Sequence, residues 1–182
     1  VAPTLRSPAA LPPLVTSNDS GMNGRGRGEL PQAAPPAQSR YAREKDVLAG
    51  PLLTAFNAAV LGDYDTLEAF LCRTSRLPGE HASVELAKGF AELSASRGKE
   101  GDRVALHLAL LSPDHATATT AREFLPMCGA LALGASAAKH EFVRKRFIAI
   151  LHELAEDFRF RVRDMVPIAL AMIGEAMGDA LF

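Results

Sequence analysis

The chain has 182 residues, a hydrophobic fraction of 48% and a formal net charge of −1. That is enough apolar material for the core of one domain, and the near-zero charge predicts neither a nucleic acid nor an acidic membrane surface as partner. No apolar run approaches the roughly 18 residues that span a bilayer, and no secretory signal opens the chain. We therefore expect a cytoplasmic protein with no membrane partner.

Residues 1–45 are predicted to form a disordered arm. They hold seven of the twelve prolines, four glycines and one aromatic residue, Tyr41. Such a segment buries too little apolar surface to offset the entropy lost on ordering. Its charge is +3, which leaves −4 for residues 46–182. The Arg/Gly tract at 24–28 is of a kind found in phosphate-binding arms, but with only two arginines a linker is the favoured interpretation.

Helical periodicity begins at Asp46 and continues to the end of the chain. Apolar residues recur there at spacings of three and four in seven segments, and no segment shows the alternation of a strand. Proline at the first helical turn is favourable, so Pro51 is predicted to begin the first helix. Gly62 is predicted to end the first helix, Gly134 the fifth and Gly174 the seventh. The fourth helix, near residues 104–111, is predicted to be apolar on most sides.

Two short segments of this region repeat each other. Residues 129–134 and 169–174 superimpose at an offset of 40, which lies in the roughly 40–47-residue range of HEAT and armadillo units. Small residues allow helices to approach closely, and a terminal glycine ends a helix. Because one helix pair cannot bury its apolar face alone, such pairs stack in layers.

A longer pattern around the second segment points to a family. It has an Asp in a turn, a Val-Arg pair and a small or aliphatic helix ending in Gly, at Asp157, Val162, Arg163, Ala169 and Gly174. This pattern resembles a HEAT-like repeat of the bacterial phycobilisome-lyase type.

Earlier segments extend the resemblance. Residues 62–79, 85–87 and 124–129 look, in that order, like the front of uncharacterised actinobacterial HEAT-repeat proteins. The resemblance covers about residues 46–174. It departs at Pro167, inside a helix where the family usually has a small residue, and a proline there is expected to kink the helix.

The resemblance implies an α-solenoid of about three helix pairs in residues 46–182, which binds through a concave helical face. The chain begins with Val1 rather than Met and stops just after a helical pattern, so we expect a fragment of a longer repeat array. In that case the last helix pair would expose an unfilled apolar layer at Met165, Ile173, Met177, Leu181 and Phe182.

Catalytic and metal-binding motifs are not found in the sequence. The five histidines form no His-Glu-x-x-His, and neither Cys-x-x-Cys nor Gly-x-Ser-x-Gly occurs. Cys72 and Cys128 lie in apolar helical patterns and are interpreted as reduced core residues. We therefore expect no catalytic residue, no metal and no cofactor.

Basic residues gather in the last two helices. Arg144, Arg159, Arg161 and Arg163 are the candidate binding residues, because guanidinium groups in one groove suit phosphate or an acidic protein surface. The alternative is a solvated face with ion pairs between turns, such as Asp157 with an arginine of a neighbouring layer.

The leading functional hypothesis is a non-catalytic scaffold that binds a protein partner, not identified by the sequence. The alternative is a nucleic-acid-binding protein related to HEAT-like DNA alkylation-repair glycosylases, an analogy at the level of the fold. The lack of Trp and the charge of −4 count against it. A lyase-type enzyme would require a pocket with convergent polar groups, which the sequence does not show.

Overall fold

The structure, a computed structural model, describes the backbone of residues 37–178 and the side chains of residues 47–178. Residues 1–36 of the predicted arm and residues 179–182 lie outside this range. Within it the chain is all-α, as predicted, with seven helices and no strand. The helices are α1 (Ala37–Val60), α2 (Tyr64–Thr74), α3 (Val84–Ser96), α4 (Lys99–Ala109), α5 (Phe124–Lys139), α6 (Glu141–Leu154) and α7 (Phe160–Met177), with a 3₁₀ turn at Ala121–Glu123. None of these helices is long and apolar enough to cross a membrane.

Helix α1 begins at Ala37, so the last nine residues of the predicted arm, 37–45, are helical. The arm was predicted from its overall composition, but these nine residues contain no proline or glycine and several strong helix formers. Pro51 lies inside α1 and not at its start. The prediction that Pro51 begins the helix is therefore wrong.

The turn between α1 and α2 follows from two residues. Gly62 has a φ of 104° and donates its N–H to the Ala59 carbonyl at 3.0 Å, while Asp63 donates to the Ala58 carbonyl at 3.0 Å. This is the Schellman arrangement that ends a helix at glycine, as predicted for Gly62. Asp63 then caps α2, because its carboxylate accepts from the Thr66 N–H at 3.1 Å and from the Thr66 hydroxyl at 2.6 Å. These hydrogen bonds, the one from the hydroxyl first, lower the pKa of Asp63.

Helix α5 forms the centre of the core. It packs against α3, α4, α6 and α7, and all residues from Phe124 to Gly134 are buried. The predicted stop at Gly134 is wrong, because the helix continues to Lys139. Gly134 is instead a contact point, since a Cβ there would lie 2.6 Å from the Cβ of Ala169 on α7. Glycine allows this close approach.

Helix α7 lies against α5 and runs through Gly174 to Met177, so the stop predicted at Gly174 is also wrong. Both segments of the predicted repeat therefore lie within helices. Met165 and Ile173 are buried in the core. These two side chains were expected to be exposed in an unfilled layer, but they pack toward the centre of the fold.

Helix α4 is amphipathic. Val104, Ala105 and Leu108 are fully buried, while Glu100 and Arg103 are exposed. The prediction that this helix is apolar on most sides is wrong, because the helix begins before the segment predicted for it, and the exposed charged residues of its start give it a solvated face.

Candidate functional site

A groove of about 960 Å³ is formed by α1, by α3 and by the loop that joins α2 to α3. This volume is at the upper end of the range of about 300–1,000 Å³ found for ligand sites. Its apolar lining consists of Leu48, Ala49, Leu52, Leu53, Ala82, Val84, Leu86, Gly89 and Leu93. The groove is therefore predominantly apolar.

Helical spacing places these residues on the facing sides of α1 and α3. Leu48 and Leu52 are four residues apart on α1, and Leu86, Gly89 and Leu93 follow at spacings of three and four on α3. Gly89 has no side chain, and a Cβ at this position would meet no atom within 4 Å. The middle of the α3 wall is therefore set back, which widens the groove.

The loop wall is held by hydrogen bonds around a buried serine. The Ser75 hydroxyl donates to the Cys72 carbonyl at 2.8 Å and accepts from the Leu77 N–H at 3.0 Å. The Ser75 carbonyl accepts from the Ser83 N–H at 2.9 Å. Leu77 is buried beneath the loop. These contacts fix the backbone that forms this side of the groove.

Charged and polar residues border the apolar lining. They are Arg76, His81, Glu85 and Glu92, all exposed. Glu85 forms an ion pair of 3.3 Å with Lys88 on the same helix. An apolar centre within a polar rim is the arrangement found in protein–protein interfaces.

A polar cluster joins α2, α4 and the 3₁₀ turn. The buried carboxylate of Glu68 accepts from the Arg122 guanidinium at 2.7 Å and lies 3.1 Å from Nε2 of His107. The His107 ring stacks on Tyr64 with centroids 3.9 Å apart. No sequence motif indicates this cluster, because His107 and Arg122 lie 39 and 54 residues from Glu68 in the chain and meet it only in the folded protein. The contacts connect three elements and account for the half-buried position of His107.

The two cysteines are free thiols. Burial raises the pKa of Cys72 and raises that of Cys128 well above its ordinary value. Nucleophilic attack requires the thiolate, so neither environment favours a catalytic cysteine. The interpretation of both as core residues is confirmed for Cys128, whereas Cys72 is half-buried at the edge of the core.

Arg159, one of the predicted binding residues, is buried. Its guanidinium donates to both carboxylate oxygens of Asp157, at 2.9 and 2.6 Å, and to the carbonyls of Leu111 and Ala116 at 3.2 and 3.1 Å. It holds the loop before α5 against the start of α7. Its prediction as a surface contact is therefore wrong, and Asp157 pairs with an arginine of its own turn instead of one from a neighbouring layer.

The other three predicted arginines occupy different environments. Arg161 donates at 3.0 Å to the fully buried carboxylate of Glu123. Arg144 donates at 2.9 Å to the Ala137 carbonyl near the end of α5. Arg163 is exposed on α7. The structure thus does not gather the four guanidinium groups into one open site.

Comparison of the chain with protein-family models, with curated proteins and with solved structures finds no match. Within residues 47–178 no three His, Cys, Asp or Glu side chains come together as a metal site. The functional interpretation therefore rests on the groove. No local sequence pattern indicates this groove, because α2 separates its two helical walls in the chain and its width depends on the absence of a side chain at Gly89.

Proposed function

We propose that this protein is a non-catalytic scaffold of stacked HEAT-like helix pairs that binds an amphipathic helix of a partner protein in the groove between α1 and α3. The apolar groove with its polar rim is the observation that carries the proposal. The contacts of α1 with α2, of α3 with α4 and of α1 with α3 support stacked pairs at this end of the fold.

A helix is the occupant that suits this shape. Two parallel rows of apolar side chains on neighbouring helices leave a trough, and amphipathic helices bind such troughs through residues at i, i+4 and i+7. Each buried aliphatic anchor contributes about 1.5–3 kcal/mol. Since association itself costs at least about 4 kcal/mol, three anchors leave a net gain of at most about 5 kcal/mol, which corresponds to a submillimolar affinity.

Gly89 provides a direct test, because a side chain added there enters the groove and not the core. The probe is a fluorescein-labelled amphipathic helical peptide with leucines at i, i+4 and i+7, and binding is measured by fluorescence anisotropy. We expect submillimolar binding to the unchanged protein, and Gly89→Leu to weaken it at least about tenfold. Gly89→Ala, the matched control, leaves most of the groove open and should change affinity less than about threefold.

Two outcomes would contradict the proposal. One is the absence of binding to the unchanged protein at peptide concentrations of about 1 mM, where even a weak interface is detected. The other is binding to Gly89→Leu that is as tight as binding to the unchanged protein, which would place the peptide elsewhere. Circular dichroism of each variant establishes that the fold is retained.

The alternative function, nucleic-acid binding, predicts a different result in the same fluorescence anisotropy assay. Duplex DNA would bind tightly at about 50 mM salt and much more weakly at about 200 mM, because the release of counterions from the DNA dominates the affinity of such complexes. Of the four arginines in the hypothesis, Arg163 is the one on the surface, so Arg163→Glu should then abolish binding. Salt-sensitive binding of DNA without binding of the peptide would favour this alternative.

A further inference from the structure

Helices α4 and α6 carry a second surface, which shares no residue with the groove. A cavity of about 330 Å³ lies between them, and Lys99, Asp102, Arg103, Phe142 and Arg146 are among the residues that line it. We refer to these five residues as the α4–α6 patch. It combines three cations, one buried carboxylate and one exposed aromatic ring.

The carboxylate of Asp102 lacks a donor. Asp102 is 6% exposed, and within the described residues its buried Oδ1 atom receives no hydrogen bond. An unsatisfied buried acceptor costs about 1–3 kcal/mol. Because this oxygen has almost no accessible surface, the patch presents its cations to a partner and not this carboxylate oxygen.

The cations of the patch face solvent. Lys99 and Arg146 are exposed, and in the part of the chain that the structure describes neither forms an ion pair. Arg103 donates to the Val60 carbonyl at 2.6 Å, which uses one of the five N–H donors of its guanidinium. The one carboxylate among the lining residues is buried, so the accessible charge of the patch is positive.

Phe142 supplies an apolar contact next to these charges. Its side chain is 70% exposed at the start of α6. Exposed aromatic residues beside arginines are typical of the centres of protein interfaces. A partner that contacts Phe142 therefore comes within reach of Arg146, one helical turn further along α6.

We propose that the α4–α6 patch binds an acidic peptide segment of a protein partner, in which Asp or Glu residues flank an apolar side chain. The acidic residues pair with Lys99, Arg103 and Arg146, and the apolar side chain packs on Phe142. This site is independent of the groove, whose partner helix is recognised mainly by apolar contacts.

A nucleic acid fits the patch less well. Its affinity comes from an extended row of cations along the phosphates, whereas the patch has three cations around a small cavity.

The test uses the full chain and a fluorescein-labelled peptide of about twelve residues in which Leu and Phe are flanked by Asp and Glu. Fluorescence anisotropy is measured at about 50 and about 200 mM salt, since exposed ion pairs weaken over this range. We expect Arg146→Glu to weaken binding at least about tenfold and Phe142→Ala about fivefold. Lys145→Glu, the matched control, makes the same charge change on an exposed neighbour that does not line the cavity, and we expect less than about threefold.

Each other outcome would overturn the proposal. No binding of the peptide at about 1 mM would show that the patch does not bind such a segment. Equal losses of affinity in Arg146→Glu and Lys145→Glu would show that the peptide is held by nonspecific electrostatic attraction. Tighter binding of a single-stranded oligonucleotide than of the peptide would identify a nucleic acid as the occupant. Concentration-dependent sedimentation that Phe142→Ala abolishes would identify a second copy of the chain. Thermal unfolding of each variant confirms that these exposed substitutions leave the fold intact.

Discussion

Two glycines inside helices should respond in opposite ways to the same substitution. Gly134 lies in α5 and Gly89 in α3, and in an isolated helix either change to Ala would be favourable by about 1 kcal/mol. The surroundings differ. A Cβ at Gly89 meets nothing within 4 Å, whereas one at Gly134 lies 2.6 Å from the Ala169 Cβ and 2.8 Å from the Ala169 carbonyl oxygen.

The contact at Gly134 sets the size of the effect. Carbon atoms pack best at about 3.5–4.0 Å, so α5 and α7 must separate by roughly 1 Å, and a gap of that size forfeits a quarter to a half of the attraction between facing atoms. Overpacking costs about 1–3 kcal/mol and occasionally more. Since backbone atoms of Ala169 are among the facing atoms, the cost should lie in the upper half of this range. After the helical gain of about 1 kcal/mol is subtracted, we expect Gly134→Ala to lower the free energy of unfolding by about 1–2 kcal/mol. Gly89→Ala should raise it by about 0.5–1 kcal/mol.

Urea unfolding followed by far-UV circular dichroism measures both values. At about 2–4 °C per kcal/mol for a chain of this size, the melting temperatures should move in opposite directions by several degrees. Adding Ala169→Gly to Gly134→Ala should restore little, because the Ala169 Cα, at 2.7 Å, and carbonyl oxygen remain in the way. A neutral or stabilising effect of Gly134→Ala would refute the close approach of α5 and α7.

Arg159→Met should lower the free energy of unfolding by about 3–5 kcal/mol in the same urea assay. It leaves the Asp157 carboxylate with only the backbone N–H of residue 159 as donor and removes the donor to the Leu111 and Ala116 carbonyls. Burial alone would raise the pKa of Asp157, but the hydrogen bonds and charge of Arg159, with the charge of Arg163, hold it below the ordinary 3.8. Asp157 therefore stabilises the fold above pH 3.8, and this contribution is lost as the pH falls through its lower folded pKa. When unfolding is measured at a series of acidic pH values, the free energy of unfolding should fall less with pH in Arg159→Met than in the unchanged protein. Iodoacetamide followed by mass spectrometry should modify half-buried Cys72 slowly and fully buried Cys128 only after unfolding; early labelling of Cys128 would contradict its burial.

The all-α class and several helix boundaries could be predicted because their signals are local. Periodic apolar residues mark each helix, and Gly62 ends α1 by a backbone conformation that glycine adopts readily. Gly134 and Gly174 could not be assigned in the same way. A glycine that ends a helix and one that allows two helices to touch look alike in sequence, and only the neighbouring helix distinguishes them.

The positions of the functional residues depend on contacts between distant parts of the chain. Arg159 is buried because it donates to carbonyls 48 and 43 residues earlier in the sequence. Its basic character alone suggested a surface role. The groove depends likewise on the packing of α1 beside α3, and the α4–α6 patch on two helices separated by all of α5. No local sequence pattern indicates contacts between residues that lie this far apart in the chain.

The central position of α5 affects the synthesis of the protein. A helix that is apolar on every side has no face suited to water, and α6 and α7, which cover two of its sides, follow it in the chain. At about 5–20 residues per second the ribosome needs roughly 2–8 s to add the residues from the end of α5 to the end of α7. During that interval α5 is incompletely covered, so the nascent chain should be a good substrate for chaperones that hold exposed apolar segments.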